Sequence, residues 1–122
     1  MISLSMSKEI KKGWGKEVVI VNNNKYCGKI LCFDKGAQFS MHFHAEKDET
    51  FYVLDGCGIM KGIDTKDASQ FEISLGPDTI IDIPKYSPHQ IFAKTDMKVI
   101  EFSTHHEDSD SYRVIKGDSQ KK

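Results

Sequence analysis

The chain has 122 residues, a formal net charge of -1, a sequence pI of about 6.5 and 29% charged residues. That balance gives no electrostatic case for nucleic acid or an anionic membrane surface. No apolar run reaches the length of a membrane span, and residues 1–12 lack the apolar centre of a secretory signal, so a small-molecule partner and a cytoplasmic location are the expectation. The length suits one domain, residues 1–122, with a core over about 14–114 and polar termini. Cys27, Cys32 and Cys57 are an odd set with no spacing of a structural zinc site or redox pair, which reads as three reduced, largely buried thiols. A functional reading would bring Cys57 near a bound metal.

In chain order, residues 3–12 form an arm or a short helical turn. Trp14-Gly15 leads into the β-branched run at 17–21, and Asn22-Asn23-Asn24-Lys25 is a turn by composition. Residues 26–33 alternate as the next strand, Asp34-Lys35-Gly36 turns it, and 37–43 returns. A strand over 50–54, opened by Glu49, ends in the hairpin signal Asp55-Gly56. Further strands are expected at 58–62, 71–75, 79–83, 90–93 and 97–102, with a polar loop at 63–70 and a turn at Gly76-Pro77-Asp78. Many short strands separated by Gly, Pro, Asn and Asp indicate an all-β sandwich or barrel.

The chain is organised around residues 36–56. His42 and His44 are two apart, so in a strand both side chains leave one face, about 7 Å apart. Four polar or small residues, Ala45-Glu46-Lys47-Asp48, read as a turn that leads to Glu49, a third potential metal ligand.

Glycine, five residues, His-x-His, four residues, glutamate, six residues, glycine resembles the first motif of the cupin superfamily, matched without a gap by Gly36, His42, His44, Glu49 and Gly56. Its second motif resembles Ile83-Pro84-Lys85-Tyr86-Ser87-Pro88-His89, with Asp78 and Tyr86 at the expected glycines and Ala93 where asparagine is common. The resemblance implies a double-stranded β-helix, the jelly-roll cupin barrel, in which His89 joins His42, His44 and Glu49 on one divalent first-row metal. Three imidazoles and a carboxylate leave Mn, Fe, Ni, Co and Zn open, with coordination positions for water or substrate. His105 and His106 are read as part of a solvated loop after the last strand.

From Trp14 to about Gly117 the chain is similar to the cupin domain of type II mannose-6-phosphate isomerases, which accompanies a mannose-1-phosphate guanylyltransferase. The likeness lies in Trp14-Gly15, Lys29, Ser40, Glu49-Thr50-Phe51-Tyr52-Val53, Ile100-Glu101-Phe102-Ser103 and the segment from Asp108 to Arg113. It departs at His42, where that family commonly has glutamine, and in the closing segment. It also resembles stand-alone sugar-metabolism cupins with a closing Asp-Ser-Tyr-Arg.

Arg113 is the only arginine among 17 basic residues; its planar fork suits phosphate or carboxylate, and a surface salt bridge is the other reading. Lys29 either points into the barrel toward an anion or lies on its outer face. The resemblance implies an aldose-ketose isomerase of a phosphorylated sugar, with Glu101 as proton-moving base and Lys29 and Arg113 on the phosphate. A non-catalytic sugar or nucleotide-sugar binding module, and a metal-dependent oxygenase or lyase, use the same constellation. A homodimer is expected, because small cupins pair outer strands and the apolar 18–21 run would be an edge hazard in a monomer.

Overall fold

The computed structural model describes residues 1–121. Eleven strands follow one another: β1 (Lys8–Lys12), β2 (Gly15–Asn22), β3 (Cys27–Phe33), β4 (Met41–His44), β5 (Glu49–Asp55), β6 (Gly58–Ile63), β7 (Gln70–Leu75), β8 (Ile80–Ile83), β9 (His89–Ala93), β10 (Met97–Ser103) and β11 (Ser111–Ile115). They form a six-stranded sheet, β1-β2-β3-β10-β5-β8, and a five-stranded sheet, β11-β4-β9-β6-β7. All pairs are antiparallel, and the two sheets make the expected jelly roll. Among the described residues no helix is long and apolar enough to cross a membrane.

Alternation decides which side chains face inward, and the inward set changes character along the strands. β3 buries Phe33 and Leu31 but then Lys29; β10 buries Met97 and Val99 but then Glu101; β5 buries Val53 and Phe51 but then Glu49; β9 buries Ala93 and Ile91 but then His89. One end of the barrel is therefore an apolar core, in which Trp14 stacks on Phe33 at 4.7 Å and Phe39 closes edge-on at 6.2 Å, with Trp14 and Phe39 at its boundary with the polar end. The other end is lined with groups that carry charge. Burying them is tolerable only if they pair with one another or with a ligand.

Two turns expected from sequence take conformations the residues do not favour. Gly36 and Gly56, which bound the first motif, have φ of 81° and 82°, as their position in tight turns requires. Asp78 and Tyr86, standing where glycine was expected, adopt φ of 73° and 64°. The left-handed geometry is thus kept without glycine. Asp78 N–H donates to the Val53 carbonyl at 2.9 Å and Tyr86 N–H to the His44 carbonyl at 2.7 Å, and these bonds hold the strained residues.

Three expectations change. The 3–12 segment is extended and supplies β1, whose pairing with β2 makes 18–21 an interior strand of the sheet rather than an edge. β4 begins only at Met41; Gln38 contributes an isolated bridge to Phe92. A further strand, β11, follows the short 3-10 turn at Asp108–Asp110 and pairs with β4.

Candidate metal centre

β4 places His42 and His44 on its inner face, and β9 puts His89 in register with His42. Each imidazole is fixed by its Nδ1. His42 Nδ1 donates to the Ser40 carbonyl at 2.7 Å, His44 Nδ1 to the Asp110 carbonyl at 3.1 Å and His89 Nδ1 to the Ser87 carbonyl at 2.8 Å. A carbonyl oxygen only accepts, so the proton lies on Nδ1 and each neutral ring keeps its lone pair on Nε2. The ligand atoms of the three rings lie within 4.8 Å of one another.

Glu49, the first residue of β5, enters from the opposite sheet. Its Oε1 is 2.9 Å from His89 Nε2 and 3.4 Å from His44 Nε2. Glu49 Oε1 and His89 Nε2 are nevertheless both buried without a hydrogen-bond partner. Electron-rich atoms this close, none with a proton aligned on the other, fit a cation at their common focus. The donor set, three imidazole nitrogens and one carboxylate oxygen, suits a divalent first-row ion. The carbonyl partners on Nδ1 are the outer contacts that orient metal-binding histidines.

The electrostatics point the same way. Burial, with the neighbouring His89 and His44, lowers the His42 pKa to about 3; burial and Lys47 lower that of His44 to about 4. Both rings are thus held neutral, the form a metal requires. Burial opposes ionisation of Glu49, but its polar neighbours, the Lys47 ammonium among them, outweigh it and hold the carboxyl below the usual range.

Lys47 is the residue the sequence did not reveal. Within the expected polar turn it is buried, its Nζ 3.2 Å from Glu49 Oε2 and 3.0 Å from Glu101 Oε2. It thereby occupies one oxygen of Glu49 and leaves Oε1 to face the imidazoles. Burial pulls the Lys47 pKa down, but Glu101 and Glu49 reverse this and raise it, so the ammonium stays charged. The turn is held by Asp110, whose carboxylate accepts from the backbone N–H of Ala45, Glu46 and Lys47 at 3.0 to 3.1 Å.

Glu101 is buried, and its Oε2 also accepts from Ser103 Oγ at 2.8 Å. It pairs across strands with Lys29 on one side and Phe51 on the other, so all three face inward. Lys29 therefore points into the barrel, with Glu17 Oε1 at a distant 3.5 Å from its Nζ. Arg113 on β11 lies opposite His42 and shares its face. Glu101, Lys29 and Arg113 line one pocket with His42, His44 and Glu49, about 660 Å³ including its open mouth.

His106 also lines this pocket, against expectation. Its Nδ1 is 3.0 Å from Lys47 Nζ and its Nε2 is 2.9 Å from Asp108 Oδ1, while burial and then Lys47 lower its pKa. His105 instead reaches Asn23 and Glu107 outside the pocket. Of the thiols, Cys27 is buried and Cys32 and Cys57 are half-buried. Cys57 sits in the turn after β5, where its N–H donates to Thr95 Oγ1, and does not line this pocket.

Residues 29–104 match the cupin domain family. No curated protein matches the chain. Among solved structures, the capsular polysaccharide assembling protein CapF from Staphylococcus aureus superposes with a TM-score of 0.81 at 19% identity, over 92% of this chain and 33% of that one. The E162A mutant of Bacillus subtilis oxalate decarboxylase gives 0.77 at 15% identity over 88% and 30%, and Lactobacillus farciminis oxalate decarboxylase in complex with formate gives 0.76 at 14% over 88% and 34%. The chain spans about a third of the length of each. With the family matching more than half of its residues, and the fold shared over most of the chain, the chain belongs to the cupin family.

Proposed function

We propose that this cupin is a metal-dependent enzyme acting on a small phosphorylated sugar, an aldose-ketose isomerase of the mannose-6-phosphate isomerase type working as a cytoplasmic homodimer. The observation that carries the proposal is one pocket in which His42, His44 and Glu49, with His89 clustered behind them, face a carboxylate, Glu101, and two cations, Lys29 and Arg113. When bound there, a divalent ion supplies Lewis acidity toward the sugar hydroxyl and carbonyl oxygens.

The remaining steps belong to the protein. Arg113 and Lys29 take the phosphate, Arg113 with its planar fork and Lys29 as a buried point charge. Glu101 takes a proton from one carbon and returns it to its neighbour through an enediol. Lys47 and Ser103 both bond Glu101 Oε2 and fix the carboxylate in place. The pocket walls Phe39 and Phe51 exclude water from the exchanging proton.

Metal analysis of protein purified without chelating resin, followed by a coupled assay against hexose 6-phosphates, tests this reading. One divalent ion per chain, turnover of a hexose 6-phosphate and its loss in Glu101→Gln are expected. Arg113 is exposed, so Arg113→Ala should weaken sugar-phosphate binding by about 1 kcal/mol or less. Metal loading without binding of any sugar phosphate at millimolar concentration would transfer the site to oxygenase or lyase chemistry. The two oxalate decarboxylases sharing this fold make oxalate the first compound to screen in that case.

A further inference from the structure

Every carboxylate that lines the pocket already has a partner. Glu17 faces Lys29 at 3.5 Å, Glu49 and Glu101 share Lys47 at 3.2 and 3.0 Å, and Asp108 meets His106 Nε2 at 2.9 Å. Two cations of the lining are left over. Among the described residues neither Lys12 nor Arg113 has a carboxylate oxygen within 4.0 Å. They come from the margins of the two sheets, which β1 and β11 end. Arg113 shares the face of His42 across β4. Lys12 shares the inner face with Ile10, whose partner Glu17 lies opposite the buried Leu31.

The chain beyond β11 crosses between these margins and brings two more donors. Gly117 is buried against the backbone of Phe39 and Ser40, with no room for a side chain. Asp118 N–H donates to the Gln38 carbonyl and its carboxylate accepts from Gln38 N–H, both at 2.9 Å. On the other side Gly13 N–H, in the turn before β2, donates to Ser119 Oγ at 3.0 Å, which leaves the hydroxyl proton free to be given. Gly117 N–H likewise donates to Gln120 Oε1 at 2.9 Å, which leaves the amide nitrogen of Gln120 as a donor. Ser119 and Gln120 both line the pocket. The segment is thus pinned to both sheets through its acceptors and turns its donors to the mouth.

We infer that the C-terminal segment completes an oxyanion subsite at the pocket mouth, in which Lys12, Arg113, Ser119 Oγ and Gln120 Nε2 hold a phosphate group. A phosphate ester brings three acceptor oxygens and close to two charges, which two cations and two neutral donors match. A carboxylate has the same chemistry with one charge and two oxygens, fewer than the donors present. The subsite rests on the proposed function in taking this group to be the substrate's phosphate at Arg113; Lys12 and the C-terminal donors are new to it.

Titration of inorganic phosphate into the full chain, with chelator and at low salt, followed by backbone amide shifts, tests the subsite apart from metal and turnover. Saturable shifts centred on Ser119 and Gln120 are expected in the millimolar range. Lys12→Ala and Arg113→Ala should each weaken binding about threefold, as exposed charge contacts do. Gln120→Glu keeps the oxygen that accepts from Gly117 N–H and replaces the donor by a negative charge, so it should weaken phosphate at least about tenfold with far-UV circular dichroism unchanged. Phosphate affinity indifferent to both Lys12→Ala and Gln120→Glu, or shifts absent from residues 119 and 120, overturns the subsite. Acetate binding as tightly as phosphate overturns the phosphate assignment. Phosphate held at the mouth with no hexose 6-phosphate turned over by the metal-loaded chain overturns the isomerase and leaves the subsite. Turnover with a KM unmoved by Gln120→Glu overturns the subsite and leaves the isomerase.

Discussion

Replacing Lys47 with methionine keeps most of the side-chain volume and removes the one ammonium that lies between Glu49 and Glu101. Removing one partner of a buried ion pair costs about 3–5 kcal/mol, because the remaining charge is left without compensation. Two carboxylates are left facing each other without it, and a loss of about 3 kcal/mol, the lower end of that range, is the minimum expected. For a chain of this size about 3 kcal/mol corresponds to a fall in Tm of roughly 10 °C. A divalent cation at the imidazole focus would replace part of the lost positive charge. Lys47→Met should therefore gain more stability from added metal than the wild type does. Urea unfolding with chelator and with saturating manganese or zinc, for both proteins, measures the two increments. A loss under 1 kcal/mol in chelator, or equal metal increments, would refute the view that Lys47 is the internal counter-charge of the site.

Three further outcomes are expected. Because the His42 and His44 pKa values lie at about 3 and about 4 in the fold and near 6.5 when unfolded, the unfolded chain binds more protons across that interval. Metal-free stability should be fully present above pH 6.5 and decline as pH falls from there to about 4, at roughly 1.4 kcal/mol per pH unit for each histidine; a flat profile in urea titrations would contradict it. Asp110→Ala should cost about 3 kcal/mol by stranding the 45–47 amides, and hydrogen exchange at those three amides should accelerate more than in the β6–β7 hairpin. His44→Ala should abolish stoichiometric metal binding in calorimetry while Arg113→Ala retains it; equal loss in both would remove the distinction between ligand and phosphate contact.

The strands that pack both against the core and against neighbours were readable from their alternation, and nine of the eleven lie near their expected positions. The two that were not show why. β1 is Lys-Glu-Ile-Lys-Lys and β11 is almost wholly exposed, so neither shows the buried and exposed alternation of the other strands; backbone pairing holds both, and β11 adds the stack of Tyr112 on Phe43. The histidines and Glu49 were legible because their spacing is local. Lys47 was not, since what turns it inward is Asp110, separated from it by 63 positions, and what holds its ammonium is Glu101, 54 positions away. A lysine in a polar turn gives no sign of that. His106 escaped for the same reason, its place being set by Lys47 and Asp108 together. Asp78 and Tyr86 show that the turn geometry outlived the residue type that usually marks it.

The tie between Asp110 and the 45–47 turn also fixes when the site comes into being. His42, His44 and Glu49 leave the ribosome well before Asp110 does, at about 5–20 residues per second. Until that aspartate arrives, His44 lacks its carbonyl partner and the turn lacks the acceptor for three amides. The site in its final geometry therefore forms only once Asp110 has paired with the 45–47 turn, late in the chain.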